Sequence, residues 1–214
     1  MVGYSKAMQH TDIDRIRDWL GAGSLNLFGR PFAGKDTQGS KLTKLFNGTL
    51  LGGGDILRGA DMPAHIKEAM RTGELIASED YVSIVLPKLM DESLAGRPLI
   101  LSSVGRWHGE EDGVLKATEA AGHPVKAVIY LQLDEDDVRK RWKIFAGTHH
   151  RGERHDDTEE VLEIRLKEYR EKTLPVIEFY RKNGLLIEVD GTHTPEQVHE
   201  TILHELASRA STSP

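Results

Sequence analysis

Hydrophobic residues follow two alternating patterns along the chain, continuous apolar runs and longer segments with helical spacing. The continuous runs lie at 25–29, 49–51, 98–102, 125–133 and 185–189, and each is short enough to be a strand. The segments between them repeat apolar residues every three or four positions, as amphipathic helices do. Continuous apolar strands that alternate with helices are typical of a parallel sheet covered on both faces. The pattern therefore predicts an α/β fold, with three α/β/α layers around a five-stranded parallel sheet.

Several helix ends are marked by their own residues. Ser78 can cap a helix that Pro87 should bend. Pro175 should kink the long helical pattern of residues 158–183. Residues 194–197, Thr-Pro-Glu-Gln, combine an N-cap, a proline at the first helical position and the glutamine of a capping box. The last helix is therefore predicted to begin there.

Length and composition narrow the class of protein. The chain has 214 residues, of which 38% are hydrophobic and 29% charged, and these values are typical of one globular domain. It contains no cysteine, so it can form neither a disulfide nor a thiolate zinc site. Its net charge of -6 disfavours a general nucleic-acid binder, and no apolar run approaches the roughly 20 residues that span a bilayer. We expect a cytoplasmic monomer that binds neither nucleic acid nor membrane.

The first candidate chemistry follows the first strand. Gly29 and Gly34 with Lys35 match the Gly-x-x-x-x-Gly-Lys part of the P-loop pattern, between a predicted strand and a predicted helix. There, backbone N–H groups and the helix N-terminus attract phosphate, and the lysine reaches the β- and γ-phosphates of a nucleotide. The alternative interpretation is a plain glycine turn with a solvated lysine.

Further motifs make the chain resemble the adenylate kinase family of nucleoside monophosphate kinases, from residue 25 to about residue 206. The family's Gly-Lys-Gly-Thr-Gln corresponds to residues 34–38, its Ser-Thr-Gly-Asp-x-Leu-Arg to 52–58 and its Gly-x-Leu-Val to 73–76. Its Asp-Gly-Phe-Pro-Arg stretch corresponds to residues 102–106, where only the arginine is kept. The resemblance implies transfer of a phosphoryl group from ATP, with Mg²⁺, to a nucleoside monophosphate.

The resemblance also implies roles for individual residues. The cations that would surround the transferring phosphates are Lys35, Arg106, Arg141, Arg154 and Arg165. ATP would be bound by Gly29, Arg30, Pro31, Phe32, Ala33, Gly34, Lys35, Asp36, Thr37 and Gln38, with His193 near its adenine. The monophosphate site would comprise Gly53, Arg58, Leu75, Ile76, Ser103, Arg106 and Glu110. Thr37 and Asp55 would hold Mg²⁺, mostly through water.

The organisation implied by the resemblance is one P-loop kinase domain over residues 1–214. Its core would comprise residues 24–52, 83–141 and 155–206, with a monophosphate-binding insertion at 53–82 and a short lid at 142–154. An N-terminal extension, residues 1–23, lies before the resemblance and carries one short amphipathic helix.

Four of the departures from the family pattern bear on the metal ion, the base or the lid. Asp36 follows the P-loop lysine where the general pattern has Ser or Thr, although Thr37 still offers a hydroxyl to a metal ion. Ser102 replaces an acidic residue that helps to organise magnesium-bound water, and Glu110 replaces a glutamine that reads adenine. An arginine of the family's lid falls near Phe145. The metal arrangement and the choice of base are therefore open.

Four functions are compatible with these residues. An adenylate kinase, which converts ATP and AMP to two ADP, is favoured by the overall likeness. A kinase for another monophosphate is the second, because Glu110 can accept hydrogen bonds from guanine or from the amino group of adenine or cytosine. The third is a nucleotide-binding or regulatory protein without activity, suggested by Asp36 and Ser102, and the fourth is a kinase for a small metabolite. Trp107, beside Arg106, either packs against the acceptor base or only lines the cleft.

Overall fold

The computed structural model describes residues 10–59, 62–146 and 158–212. Within them, five strands form one parallel sheet in the order β2-β3-β1-β4-β5. The strands are β1 (Ser24–Gly29), β2 (Thr49–Gly52), β3 (Leu99–Ser102), β4 (Val125–Gln132) and β5 (Leu186–Asp190). Each strand begins and ends within one residue of its predicted run. The predicted fold class is confirmed.

Helices occupy most of the chain between the strands. They are α1 (His10–Leu20), α2 (Lys35–Phe46), α3 (Gly53–Gly59), α4 (Ala64–Thr72), α5 (Ser78–Val85), α6 (Glu111–Ala120), α7 (Glu135–Ala146), α8 (Glu159–Glu168), α9 (Leu174–Lys182) and α10 (Pro195–Thr212). Helices α3 and α4 and the first part of α5 fall in the predicted insertion, residues 53–82. The division into core, insertion and lid stays a prediction, and much of the lid segment, from residue 147 onward, lies outside the described residues.

The sheet is covered on both faces because side chains of each strand alternate between two apolar layers. Leu25 and Leu27 of β1 pack with residues of α1, α2 and α10. Phe28 of the same strand packs in the opposite layer, where α9 covers Val128 of β4. Helix α2, which follows β1, and helix α6, which follows β3, lie on opposite faces. Strands β1 and β3 are neighbours, so their carboxyl ends leave a crevice of the kind in which α/β proteins bind ligands.

Pro87 and Pro175 both interrupt helices near the predicted positions. Near each of them the helix changes locally to another type. Helix α5 ends at Val85 and a 3₁₀ turn, Leu86–Met90, contains Pro87. The long pattern of residues 158–183 is divided by a π-helical turn, Tyr169–Thr173, in which the N–H of Leu174 donates to the carbonyl of Tyr169. Pro175 has no N–H to donate, and a wider turn before it accommodates that missing bond.

The chain's two terminal helices pack on each other. Ile16 and Leu20 of α1 are buried in the same apolar cluster as Leu206 of α10. The capping box of α10 is confirmed, since the N–H of Gln197 donates to the Thr194 hydroxyl at 3.3 Å and the N–H of Thr194 donates to the Gln197 side chain at 3.2 Å. No helix within the described ranges is long and apolar enough to cross a membrane. The cytoplasmic location and the monomeric state stay predictions.

Candidate active site

The predicted phosphate loop connects β1 to α2 in the crevice between β1 and β3. Gly34, the residue before α2, has a φ of 95°, a left-handed conformation that glycine adopts at little cost. Phe32 also has a positive φ, 62°, although it is not glycine. No side chain at Gly34 caps the helix, so the first N–H groups of α2 are presented at the loop. This geometry suits a bound phosphate.

Lys35 lies against the loop that it follows. Its Nζ donates to the carbonyl of Gly29 at 2.7 Å and to that of Arg30 at 2.9 Å, so the ammonium group is held inside the loop. Arg30 itself has another use, because its guanidinium donates to the carbonyl of Leu133 at 2.8 Å and lies 5.3 Å from the ring centre of Tyr169. Arg30 therefore fixes the loop to the core instead of reaching the crevice.

One cavity of about 260 Å³ opens in front of the loop, and most of the predicted site residues line it. The residues that it brings together are Gly29, Pro31, Phe32, Gly34, Lys35, Asp36, Thr37, Asp55, Arg58, Leu75, Ile76, Ser103, Arg106, Glu110 and Arg165. Trp107, Glu168 and Thr173 also line it. The ATP-loop residues and the predicted acceptor residues therefore face one continuous space.

Six predicted residues do not line this cavity, and a seventh, Arg154, lies outside the described residues. The six are Arg30, Ala33, Gln38, Gly53, Arg141 and His193. Gln38 is 2% exposed, and its amide bonds to the carbonyl of Pro195 and to Nδ1 of His199, so it joins α2 to α10. Arg141 donates to the carbonyls of Phe32 and Gly191, on the outer side of the loop. The roles of these residues stay predictions.

The segment that carries Arg106 is fixed at nearly every peptide group. The side chain of Asn26, fully buried in β1, donates to the carbonyl of Val104 at 2.8 Å and accepts from its N–H at 3.3 Å. The N–H of Gly105 donates to the Tyr81 hydroxyl at 3.2 Å. The carbonyl of Arg106 accepts from the hydroxyl of Thr173 at 3.2 Å. The backbone of Arg106 is thus held by β1, α5 and the π-helical turn.

The charges around Arg106 are mixed. Burial lowers the pKa of Arg106, and repulsion by Arg165 acts in the same direction, whereas attraction by Glu110 and Glu168 raises it. Burial also raises the pKa of Tyr81 to about 12, so this hydroxyl is neutral at physiological pH. An arginine keeps its charge despite such a shift. Two neighbouring arginines in a partly desolvated cavity form an attractive site for a phosphate dianion.

Removing the side-chain amide of Asn26 is expected to destabilise the fold. In Asn26→Leu, the N–H and carbonyl of Val104 lose their partner inside the core, and the expected loss is about 2–4 kcal/mol in the free energy of unfolding. Urea denaturation followed by circular dichroism measures it. Asn183→Leu is the matched control, because exposed Asn183 also donates to a backbone carbonyl, that of Phe179, at 2.8 Å. Equal losses in both variants would contradict the role given to Asn26.

Glu110 lines the same cavity as the phosphate loop and is 5% exposed. Its Oε1 accepts from the hydroxyl of Ser78 at 2.7 Å, and its Oε2 accepts from the N–H of Trp107 at 3.1 Å. Burial raises the pKa of Glu110, and these two hydrogen bonds oppose the rise. The predicted cap at Ser78 is wrong, because α5 begins at Ser78 itself and the hydroxyl serves Glu110.

Oxygen ligands for a metal ion are present at the loop. Thr37 and Asp36 are exposed at the start of α2, and Asp55 faces the same cavity from α3, where it also accepts from Arg58. Within the described ranges, no cluster of three or more His, Asp or Glu side chains could hold a metal ion alone. Mg²⁺ at nucleotide sites usually takes one or two side-chain oxygens and completes its shell with phosphates and water. The residues present fit that kind of binding.

Several residues of the site were missed by reasoning from the sequence. Asn26 interrupts an apolar strand, and a buried polar residue there is a signal that could have been read. Tyr81 and Thr173 carry no such signal, because residues that are partly polar and partly apolar are common in helices. Glu168 and Lys172 have the spacing of a surface ion pair on a helix, i and i+4, yet both line or adjoin the cavity.

Comparisons with known proteins agree on one family. The family model that describes adenylate kinases matches residues 27–185. An adenylate kinase of Methylobacterium nodulans is 34% identical over 184 residues, which are 82% of this chain and 92% of that protein. One of Prochlorococcus marinus is also 34% identical over 184 residues, with 83% and 94% covered. One of Methanosarcina barkeri is 28% identical over 204 residues, with 82% and 94% covered.

Proposed function

Since the chain belongs to the adenylate kinase family, we propose that it transfers the γ-phosphoryl group of ATP to AMP and forms two ADP. One observation carries the proposal: Lys35, Arg106 and Arg165 line a single cavity. Arg58, on the predicted insertion, lines it too. A donor phosphate at the loop and an acceptor phosphate at the arginines would then share one enclosed space.

Transfer between phosphates needs positioning and positive charge more than a protein nucleophile. The transition state is loose and spreads negative charge over the equatorial oxygens of the transferred group. The N–H groups at the start of α2 and the ammonium of Lys35 would hold the donor. Arg58 and Arg106 would hold the acceptor phosphate, because the planar guanidinium can pair with two of its oxygens. Arg165 adds a positive charge in the same cavity.

Mg²⁺ accompanies ATP in this proposal. Thr37 and Asp55 would hold it, mostly through water, and the bound ion would neutralise charge on the donor phosphates. Arg141 would act further out, where its bonds to the carbonyls of Phe32 and Gly191 keep the loop next to the end of β5. His193, exposed beyond that strand, would lie near the donor base.

A panel of acceptors tests the proposal. With ATP and Mg²⁺, the purified protein is expected to phosphorylate AMP with a higher kcat/KM than GMP, CMP, UMP or dTMP, measured by chromatographic separation of the diphosphates. A higher kcat/KM for another monophosphate would identify that nucleotide as the acceptor in place of AMP. Binding of ATP without transfer to any monophosphate would contradict the proposed activity and favour a regulatory role.

A guanine acceptor is the second candidate, and Glu110 is the observation that favours it. A carboxylate has only acceptor oxygens, and guanine offers two adjacent donors, its N1–H and its amino group. Adenine offers one donor and one acceptor on the same edge, so Glu110 would pair only with its amino group. The kcat/KM ratio for AMP over GMP in the panel decides between the two.

A further inference from the structure

The segment that contains Gly73 and Leu75, in the predicted monophosphate-binding insertion, contacts helix α8, which lies about 90 residues later in the chain. The N–H of Leu75 donates to Oε2 of Glu168 at 3.0 Å. Gly73, with a φ of 85°, is so close to α8 that a Cβ there would lie 2.9 Å from Cγ1 of Val161 and 3.1 Å from Cγ of Arg165. Two points of the predicted insertion therefore meet α8: a glycine without room for a side chain, and a backbone donor.

The carboxylate of Glu168, which accepts from the N–H of Leu75, also pairs with a residue of the π-helical turn. The side chain of Glu168 is 12% exposed and pairs with the ammonium of Lys172, whose Nζ lies 4.0 Å from the ring centre of Trp107. Thr173, the next residue, donates to the carbonyl of Arg106 at 3.2 Å. Through the ion pair of Lys172 with Glu168, the turn is connected to the insertion. Through Lys172 and Thr173, it also contacts Trp107 and the carbonyl of Arg106.

The presence of acidic Glu168 in a cavity that would receive anionic substrates needs a physical explanation. Glu168 lines a cavity that also holds Arg106 and Arg165 and that would receive anionic substrates. A carboxylate facing a phosphate would weaken its binding unless the negative charge were taken up elsewhere. Here a backbone N–H and the ammonium of Lys172 both take up that charge.

We propose that Glu168 and Lys172 are positioning residues for the acceptor: together they fix the segment of Gly73 and Leu75 against the Arg106 segment. The proposal rests on the proposed function, because it assumes that a monophosphate binds between these two segments. Neither residue needs to touch the substrate. Their expected effect is on acceptor affinity, because Glu168 accepts from the N–H of Leu75 and Lys172 lies over the ring of Trp107.

The test separates acceptor binding from donor binding and from folding. In Glu168→Ala, the KM for AMP is expected to rise about tenfold, while the KM for ATP and kcat change less than about twofold. Glu168→Gln keeps an oxygen that can accept from Leu75 but leaves the charge of Lys172 unpaired, so an intermediate rise is expected. The double variant Glu168→Gln with Lys172→Met removes both charges, keeps the acceptor oxygen and is expected to recover most of the affinity.

Glu171→Ala is the matched control, since exposed Glu171 lies in the same turn and carries the same charge. Calorimetric titration with AMP, done beside the kinetics, measures affinity without turnover. A lower melting temperature in Glu168→Ala and Glu168→Gln with an unchanged affinity for AMP would overturn the inference. A wild-type protein that binds no monophosphate would instead overturn the proposed function.

Discussion

Arg106→Ala is expected to lower kcat for AMP phosphorylation by about 10²–10³-fold. Arg106 lines the same cavity as the P-loop, and its backbone is held by the side chains of Asn26, Tyr81 and Thr173 through the peptide groups around it. The backbone that carries this guanidinium is therefore fixed before substrate binds. We expect a donor positioned in this way, in a partly desolvated site, to lose little to reorganisation when charge develops. Removing one such donor typically costs a factor of that size.

Two further variants, Arg106→Lys and Arg97→Ala, test whether the loss of kcat is specific to the guanidinium of Arg106. Lysine keeps the charge but loses the fork that pairs with two oxygens, so Arg106→Lys should recover only part of the activity. Arg97 is exposed before β3 and donates to the carbonyl of Ser93, away from the cavity, so its replacement should leave kcat within about twofold. Near-normal activity of Arg106→Ala, measured with saturating AMP, would rule out the assignment.

Lys35→Met is expected to lower kcat by a similar factor and to weaken the binding of ATP. The ammonium of Lys35 is held by the carbonyls of Gly29 and Arg30, so it stands where the loop would receive the β- and γ-phosphates. Methionine keeps an unbranched side chain only one atom shorter than that of lysine and removes its charge. Helix α2 should persist, because its apolar packing does not depend on this ammonium.

Lys44→Met, in the last turn of the same helix, is the control for Lys35→Met. Lys44 is exposed, and its replacement should change neither kcat nor the affinity for ATP. Stopped-flow or chromatographic rates at saturating ATP and AMP, with calorimetric titration of ATP, provide both quantities. A Lys35→Met protein that binds ATP as tightly as the wild type would contradict the role of the loop as the donor site.

Sequence reasoning predicted the sheet and the loop because both depend on local patterns. Five apolar runs and the spacing of Gly29, Gly34 and Lys35 require no knowledge of distant residues. The same holds for the capping box at Thr194, whose partner is three residues away. The family resemblance supplied the acceptor arginines, which no local pattern would have separated from surface charges.

The parts that sequence reasoning missed depend on contacts between distant segments. Asn26 bonds to Val104, 78 residues later, and Leu75 bonds to Glu168, 93 residues later. The sequence predicts a helix cap at Ser78 because a local use of its hydroxyl is the only one that a sequence can show. The structure offers a partner from another element, and a buried carboxylate such as Glu110 gains more from that hydroxyl than a helix end exposed to water would.

Transfer of label from ATP is the most direct test of phosphoryl transfer between two nucleotides in this cavity. The protein is incubated with ATP labelled in its γ-phosphate, unlabelled AMP and Mg²⁺, and the products are separated. We expect the label to appear in the β-phosphate of newly formed ADP, two ADP to form for each AMP consumed, and Arg106→Ala and Lys35→Met to form far less ADP. Label found only in inorganic phosphate, or remaining in ATP while AMP is unchanged, would contradict the proposed phosphoryl transfer.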